Sequence, residues 1–305
     1  MSYVLLIVCL PLLYGVIVVL RFIWRLERHK KAYSTIPGPV GWPLVGNLFQ
    51  VTRSVEGFTR GIVDRANEYA ARGHGLSAIW LMDRCLVTPN NGKTVKAIVD
   101  SSEEISKGSD YDLFLPWLGN GLLLKSGDDW RQRRRLLTPI FHFSQLDNYV
   151  TAMNRHSKVF VDDILIDHIG EKLDIYPLIK LCTLDIICET AMGKELGSQR
   201  RPNHPYVRAV NQMATLIMEF ASNAMYWSKT LRLLVGKEQE FQRLAGIAKG
   251  FTRQVIAERS EALAKGEVEE NKRTFLDLLL MQSGEHRLTN KELEEEVETF
   301  MFEGN

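Results

Sequence analysis

The chain has 305 residues, 45% apolar and 25% charged, with 38 basic against 37 acidic side chains and a net charge of +1. These values describe an ordinary globular protein and exclude a disordered or fibrous chain. So even a balance also excludes a general polyanion-binding surface, so no nucleic acid is expected as a partner and any cationic patch is local.

Residues Met1 to Leu20 carry no charged side chain, and Val4 to Leu20 is apolar apart from Tyr14; Arg21, Arg25, Arg28, Lys30 and Lys31 follow at once. About 20 apolar residues match the hydrocarbon layer of a bilayer, and a basic cluster behind them stays cytosolic. The pattern predicts a single-pass transmembrane signal anchor over 1–24. No basic segment precedes the run and no small-x-small site follows it, which argues against cleavage. A basic, Pro/Gly-rich hinge over 25–47 comes next. Within it, residues 36–47 (IPGPVGWPLVGN) hold three prolines and three glycines, which rule out a helix or a central strand and predict a stiff, extended spacer.

Beyond the hinge, periodicity predicts a helix over Val55–Ala71 and two short strands, Leu76–Leu81 and Arg84–Thr88, joined by a turn at Met82-Asp83. The remaining pattern is helical: 92–99, 128–137, 144–169, 176–192, 205–226, 237–265, 274–282 and 289 onward, with Gly170, Gly193 and Gly284 as stops. The fold class is therefore mainly α with a small β-sheet. Cys9, Cys85, Cys182 and Cys188 form no C-x-x-C pair, and their spacing fits neither a zinc site nor a disulfide framework. His142, His156 and His168 lie on or near the central helices, and their spacing supports no metal site either.

Two places carry chemistry. Trp130 and Arg134 stand one helical turn apart, so an indole N–H and a guanidinium share a face and suit a carboxylate or phosphate. Arg131, Arg133 and Arg135 fall on other faces, where a solvated basic surface is the simplest reading. The last helix opens on Thr289-Asn290-Lys291-Glu292, a capping-box pattern, with Glu292, Glu294, Glu295 and Glu296 near the positive end of its dipole. Its apolar stripe, Leu293, Val297, Phe300 and Met301, is still running at Glu303-Gly304-Asn305.

The apolar leader, the IPGP hinge, PWLGNGLLL (116–124), the Trp130-x-x-x-Arg134 helix with LLTPIFHF behind it, and ETFMFEG (298–304) together resemble the N-terminal portion of a microsomal cytochrome P450. The resemblance is to the fourth family, known for fatty-acid hydroxylation. It implies a cytochrome P450 fold behind a transmembrane helix, with 48–305 as an incomplete catalytic domain cut within the long central helix. It implies haem as cofactor in the complete fold, with Trp130 and Arg134 on a propionate and Glu303 at the position esterified to a haem methyl in many relatives. Leu113, Phe114, Leu118, Leu122 and Leu123 would line the substrate pocket. Lipophilic small molecules, membrane lipid and an NADPH-dependent cytochrome P450 reductase are the implied partners, and the endoplasmic reticulum membrane is the implied location, with the globular part cytosolic. Residues 225–235 would meet the bilayer through Trp227 and Leu231.

The sequence also departs from the family pattern. It contains no Phe-x-x-Gly-x-x-x-Cys-x-Gly loop, whose thiolate ligates the iron, so no metal ligand and no catalytic residue is assigned. The expectation is a haem-thiolate monooxygenase by descent whose 305 residues alone are inactive. The alternative is a non-catalytic, membrane-anchored form that binds lipid or reductase.

Overall fold

The computed structural model describes residues 2–51, 54–82, 84–141, 143–270, 273–282 and 287–304; the side chains of 2–8, 11, 12, 29 and 141–148 lie outside that description. The chain forms two compact units, one of residues 1–104 with 221–227, the other of 105–220 with 228–305.

The first unit begins with α1 (Ser2–Ala32), which runs beyond the expected anchor and through the basic segment to Ala32. Residues 21–31 hold no glycine or proline, so nothing in them stops a helix. Leu10, Leu13, Tyr14, Val16, Val19 and Leu20 are all more than half exposed, whereas Leu26 is buried. Among the described residues, no helix is long and apolar enough to cross a membrane.

After α1 come α2 (Val55–Ala71), capped by Ser54 on the Gly57 N–H, and the strands β1 (Leu76–Leu81) and β2 (Arg84–Pro89). The strands pair antiparallel from Leu76↔Pro89 to Leu81↔Arg84, and Met82 turns the chain with φ 59°. Its turn partner Asp83 lies outside the described residues. Next is α3 (Gly92–Val99), capped by Asn91.

Residues 36–47 are not a free spacer. The Ala78 N–H donates to Pro37 O at 2.8 Å, Asn47 N–H to Trp80 O at 2.5 Å, and Trp80 N–H to the Asn47 side chain at 2.8 Å. The segment thereby satisfies outward-facing backbone groups of β1 that β2 leaves open. An apolar cavity of about 510 Å³ lies in the same unit, lined by Leu48, Phe49, Phe58, Leu81, Met225 and Trp227 among others.

The second unit is helical: α4 (Leu115–Leu118), α5 (Gly127–Leu137), α6 (Phe143–Lys158), α7 (Tyr176–Met192), α8 (Pro205–Ser222), α9 (Lys229–Leu234), α10 (Lys237–Ala264), α11 (Phe275–Leu280) and α12 (Asn290–Glu303). Several spans differ from expectation, the four-residue α4 being one that was not expected. The helix expected over 144–169 loses its regular register after Lys158, where a π turn over Val159–Ile164 buries Phe160 and lets Asp163 accept from Arg200 at 2.7 Å. The helix expected over 205–226 ends at Ser222, because the Asn223 side chain takes the Met225 N–H at 3.1 Å and starts a separate turn. The short α9 was not expected at all.

Gly193 ends α7 in the left-handed region at φ 65°, with Lys194 N–H returning to Cys188 O, as its position predicts. The stop expected at Gly284 lies outside the described residues. The stripe of α12 forms the core as read, with Leu293, Val297 and Met301 buried and Phe300 4.4 Å from Phe275 between ring centroids.

Candidate cofactor-binding site

The site is built where the segment 110–124 and α5 meet α12, all within the second unit. The capping box is formed as expected: Glu292 N–H donates to Thr289 Oγ1 at 3.2 Å, and Thr289 N–H to Glu292 Oε2 at 3.0 Å. This fixes where α12 begins, and hence which of its acids point where. At about 100° per residue, Glu296 and Glu298 flank the ridge made by Glu295 and Thr299.

The segment 117–122 straddles that ridge. On one flank the Trp117 indole N–H donates to Glu298 at 3.0 Å; on the other the Leu122 backbone N–H donates to Glu296 at 3.1 Å. Between them Gly121 lies so close to the helix that an added Cβ would fall 2.7 Å from Glu295 O. Gly119 holds φ 63° and faces the Glu295 side chain. The two glycines of PWLGNGLLL thus serve a close approach of loop to helix.

Glu298 is 1% exposed and also accepts the Thr252 hydroxyl of α10 at 2.5 Å. Burial raises its pKa to about 7, against the two hydrogen bonds, which favour the carboxylate. Glu296 is fully buried and binds the Arg133 guanidinium of α5 at 2.9 Å. Desolvation lifts the Glu296 carboxyl above its ordinary value, while Arg133 and the Leu122 N–H pull the other way. Glu292 also binds Arg133, and its pKa is lowered, first by the Thr289 N–H.

The expected site residues divide as follows. Trp130 is half-buried and Arg134 exposed on α5, and neither side chain has a hydrogen bond or ion pair among the described residues. Their donors are therefore available to a ligand. Phe114 comes within 5.7 Å of Phe302 between ring centroids, and Trp117 within 4.9 Å, which brings the 110–124 segment to the end of α12 beside Glu303. Leu113, Phe114, Leu122 and Leu123 are half-buried, whereas Leu118 is wholly buried in the core. Glu303 is exposed, and partial desolvation raises its pKa. No hydrogen bond or ion pair joins it to Trp130 or Arg134 among the described residues.

A family model described as Cytochrome P450 matches residues 36–305. The chain belongs to the cytochrome P450 family. It is 34% identical to cytochrome P450 4V2 of Homo sapiens over 95% of this chain and 58% of that protein. It is 31% identical to cytochrome P450 4c3 of Drosophila melanogaster over 92% of this chain and 56% of that protein. The chain thus spans somewhat more than half the length of the curated relatives it matches, and the relatives place it with family 4.

Cytochrome P450 proteins use haem, and the residues present fit one part of that group. A propionate takes hydrogen bonds from donors that no other group occupies, and among the described residues the side chains of Trp130 and Arg134 have no such partner. The iron is a different matter. Burial pushes the Cys85 thiol up to about 11 and raises Cys182 and Cys188 as well, and among the described residues no cluster of His, Cys, Asp and Glu could hold a metal ion. His156 lies against Glu189 at 2.6 Å and His168 against Glu171 at 3.2 Å, and His142 lies outside the described residues.

Sequence reasoning missed Arg133, read as one of three solvated cations. It is 7% exposed, and the correction is that it belongs to the core. A signal existed: residues 133, 137 and 140 fall on one helical stripe, and Leu137 and Ile140 are apolar and buried. Glu298 and Thr252 carried none, because they stand 46 positions apart.

Proposed function

We propose that this chain supplies the propionate grip and distal wall of a haem-thiolate monooxygenase of the fatty-acid-hydroxylating kind. The observation that carries the reading is the available Trp130–Arg134 donor pair on α5. Trp130 and Arg134 would hold a haem propionate, and Glu303, beside Phe302 at the end of α12, would face a haem methyl. When bound, haem supplies the oxygen-activating iron that inserts one oxygen atom into a substrate C–H bond with electrons from an NADPH-dependent reductase. Leu113, Phe114, Leu122 and Leu123 would orient an acyl chain and exclude water, with Leu118 behind them. Arg131 and Arg135, exposed on α5, suit an acidic reductase surface.

The same reading places the protein on the endoplasmic reticulum membrane through α1, with the body cytosolic. The uncharged run from Met1 to Leu20, the cations behind it and the exposed apolar side chains of α1 support it.

Hemin titration of the purified chain, followed by Soret absorbance, tests the reading. Each charge-assisted propionate bond is worth roughly 1.5–3 kcal/mol when shielded from water. Arg134→Ala should therefore weaken hemin binding about tenfold or more. Equal affinity in wild type and Arg134→Ala would sink the assignment.

A further inference from the structure

Trp130 and Arg134 can act together only if α5 is held at one rotation about its axis, since a turn of a few tens of degrees would swing one donor away. Helix propensity does not fix that rotation. Arg133, just before Arg134, bears on it together with the buried Leu137 of the same face. Its guanidinium is 7% exposed, with Nη1 donating to the fully buried Glu296 at 2.9 Å and Nη2 donating to Glu292. Glu292 is itself tied down by the Thr289 N–H at 3.0 Å and the Thr289 hydroxyl at 2.8 Å, and Glu296 by the Leu122 N–H. One planar fork thus bridges two carboxylates a helical turn apart on α12. A fork engaged at both tines resists rotation in a way that a point charge does not.

On the helical wheel, Arg133 lies 60° to one side of Trp130 and Arg134 40° to the other, by the 100° step. Clamping Arg133 inward therefore turns Trp130 to the boundary and Arg134 outward. That is the observed arrangement, with Trp130 half-buried and Arg134 exposed.

We propose that Arg133 is a positioning residue for the haem-propionate grip: clamped to Glu292 and Glu296, it sets the rotation of α5 that presents Trp130 and Arg134 to one ligand. The proposal rests on the haem reading above and deepens it. Arg133 itself touches no cofactor in this role.

The test is the rate at which the hemin-loaded full chain surrenders hemin to apomyoglobin, compared among Arg133→Met, Arg133→Lys, Glu292→Gln and Arg134→Ala. Each is assayed at a temperature where circular dichroism shows it folded. Arg133→Met should release hemin about tenfold faster than wild type, close to Arg134→Ala. Arg133→Lys should fall between, because an ammonium can serve one carboxylate well but not both. Glu292→Gln, which loses only the partly exposed half of the clamp, keeps the test available if Arg133→Met does not fold. Wild-type release rates in folded Arg133→Lys and Glu292→Gln would overturn the positioning role and leave the haem reading standing. A wild-type rate in Arg134→Ala would instead bring down the haem reading itself.

Discussion

Residues 36–47 and residues 115–124 are both broken by proline and glycine, yet they attach to their neighbours by different chemistry. The first segment lies along β1 through backbone groups, Ala78 N–H to Pro37 O and Asn47 N–H to Trp80 O, with a single side chain, Asn47, completing the set. The second meets α12 through side-chain carboxylates, Glu298 for Trp117 and Glu296 for Leu122. The difference follows from what each partner can offer. A strand at a sheet edge has unpaired N–H and C=O groups, whereas the interior of a helix has spent its own on the i→i−4 ladder. An irregular segment that docks on a helix must therefore be caught by side chains. In a dry interface those side chains are polar and costly to leave unpaired.

The largest expected effect tests that cost. Glu296→Leu strips one partner from a buried guanidinium and should destabilise the chain by about 3–5 kcal/mol, read from the shift in urea midpoint. A loss below about 1 kcal/mol would show that Arg133 reaches water and that the carboxylate is not what holds the loop.

Next comes the pH response of Glu298. Its pKa is raised to about 7 in the folded chain against an ordinary 4.5, so the folded state holds the proton more tightly. The corresponding stability is fully present below about pH 4.5 and is lost as pH rises through about 7, on the order of 3 kcal/mol in all. Unfolding measured at pH 5 and pH 8 should show a wild-type decline that Glu298→Gln lacks. Parallel pH profiles for the two proteins would remove Glu298 from the account.

The smallest effect belongs to the backbone-docked segment. Asn47 is 1% exposed, and Asn47→Ala leaves the Trp80 N–H without its acceptor, at a cost of about 1–3 kcal/mol. Amide exchange at Trp80 should quicken while exchange at Leu122 stays as in wild type. Equal change at both would mean that the two attachments are not independent.

Much of the fold was legible where a local rule decides it. The α2 span, the β1–β2 hairpin, the α7 stop at Gly193 and the capping box at Thr289 each depend on residues within a few positions of one another. The π turn after Lys158 and the early end of α8 were not legible. The first reflects a burial and an ion pair made with distant residues, and the second a single side-chain hydrogen bond that outcompetes the helix. Of the candidate site, the Trp130–Arg134 spacing stood out, whereas PWLGNGLLL stood out only as part of the family resemblance. The carboxylates that hold the loop did not.

Four glutamates near the start of α12 read alike in one dimension, as charge complementing a dipole. In three dimensions they part company. Glu292 caps the helix and grips Arg133, Glu294 pairs with Arg253 at 2.8 Å, Glu296 is buried under α5, and Glu295 forms the ridge beneath the loop. The amino-acid order by itself determined the helical class, the family and the one-turn spacing of Trp130 and Arg134, because periodicity and motif spacing are properties of neighbours along the chain. Only the tertiary structure decided which arginine turns inward and which acid loses its water, because desolvation depends on what other elements bring across the gap.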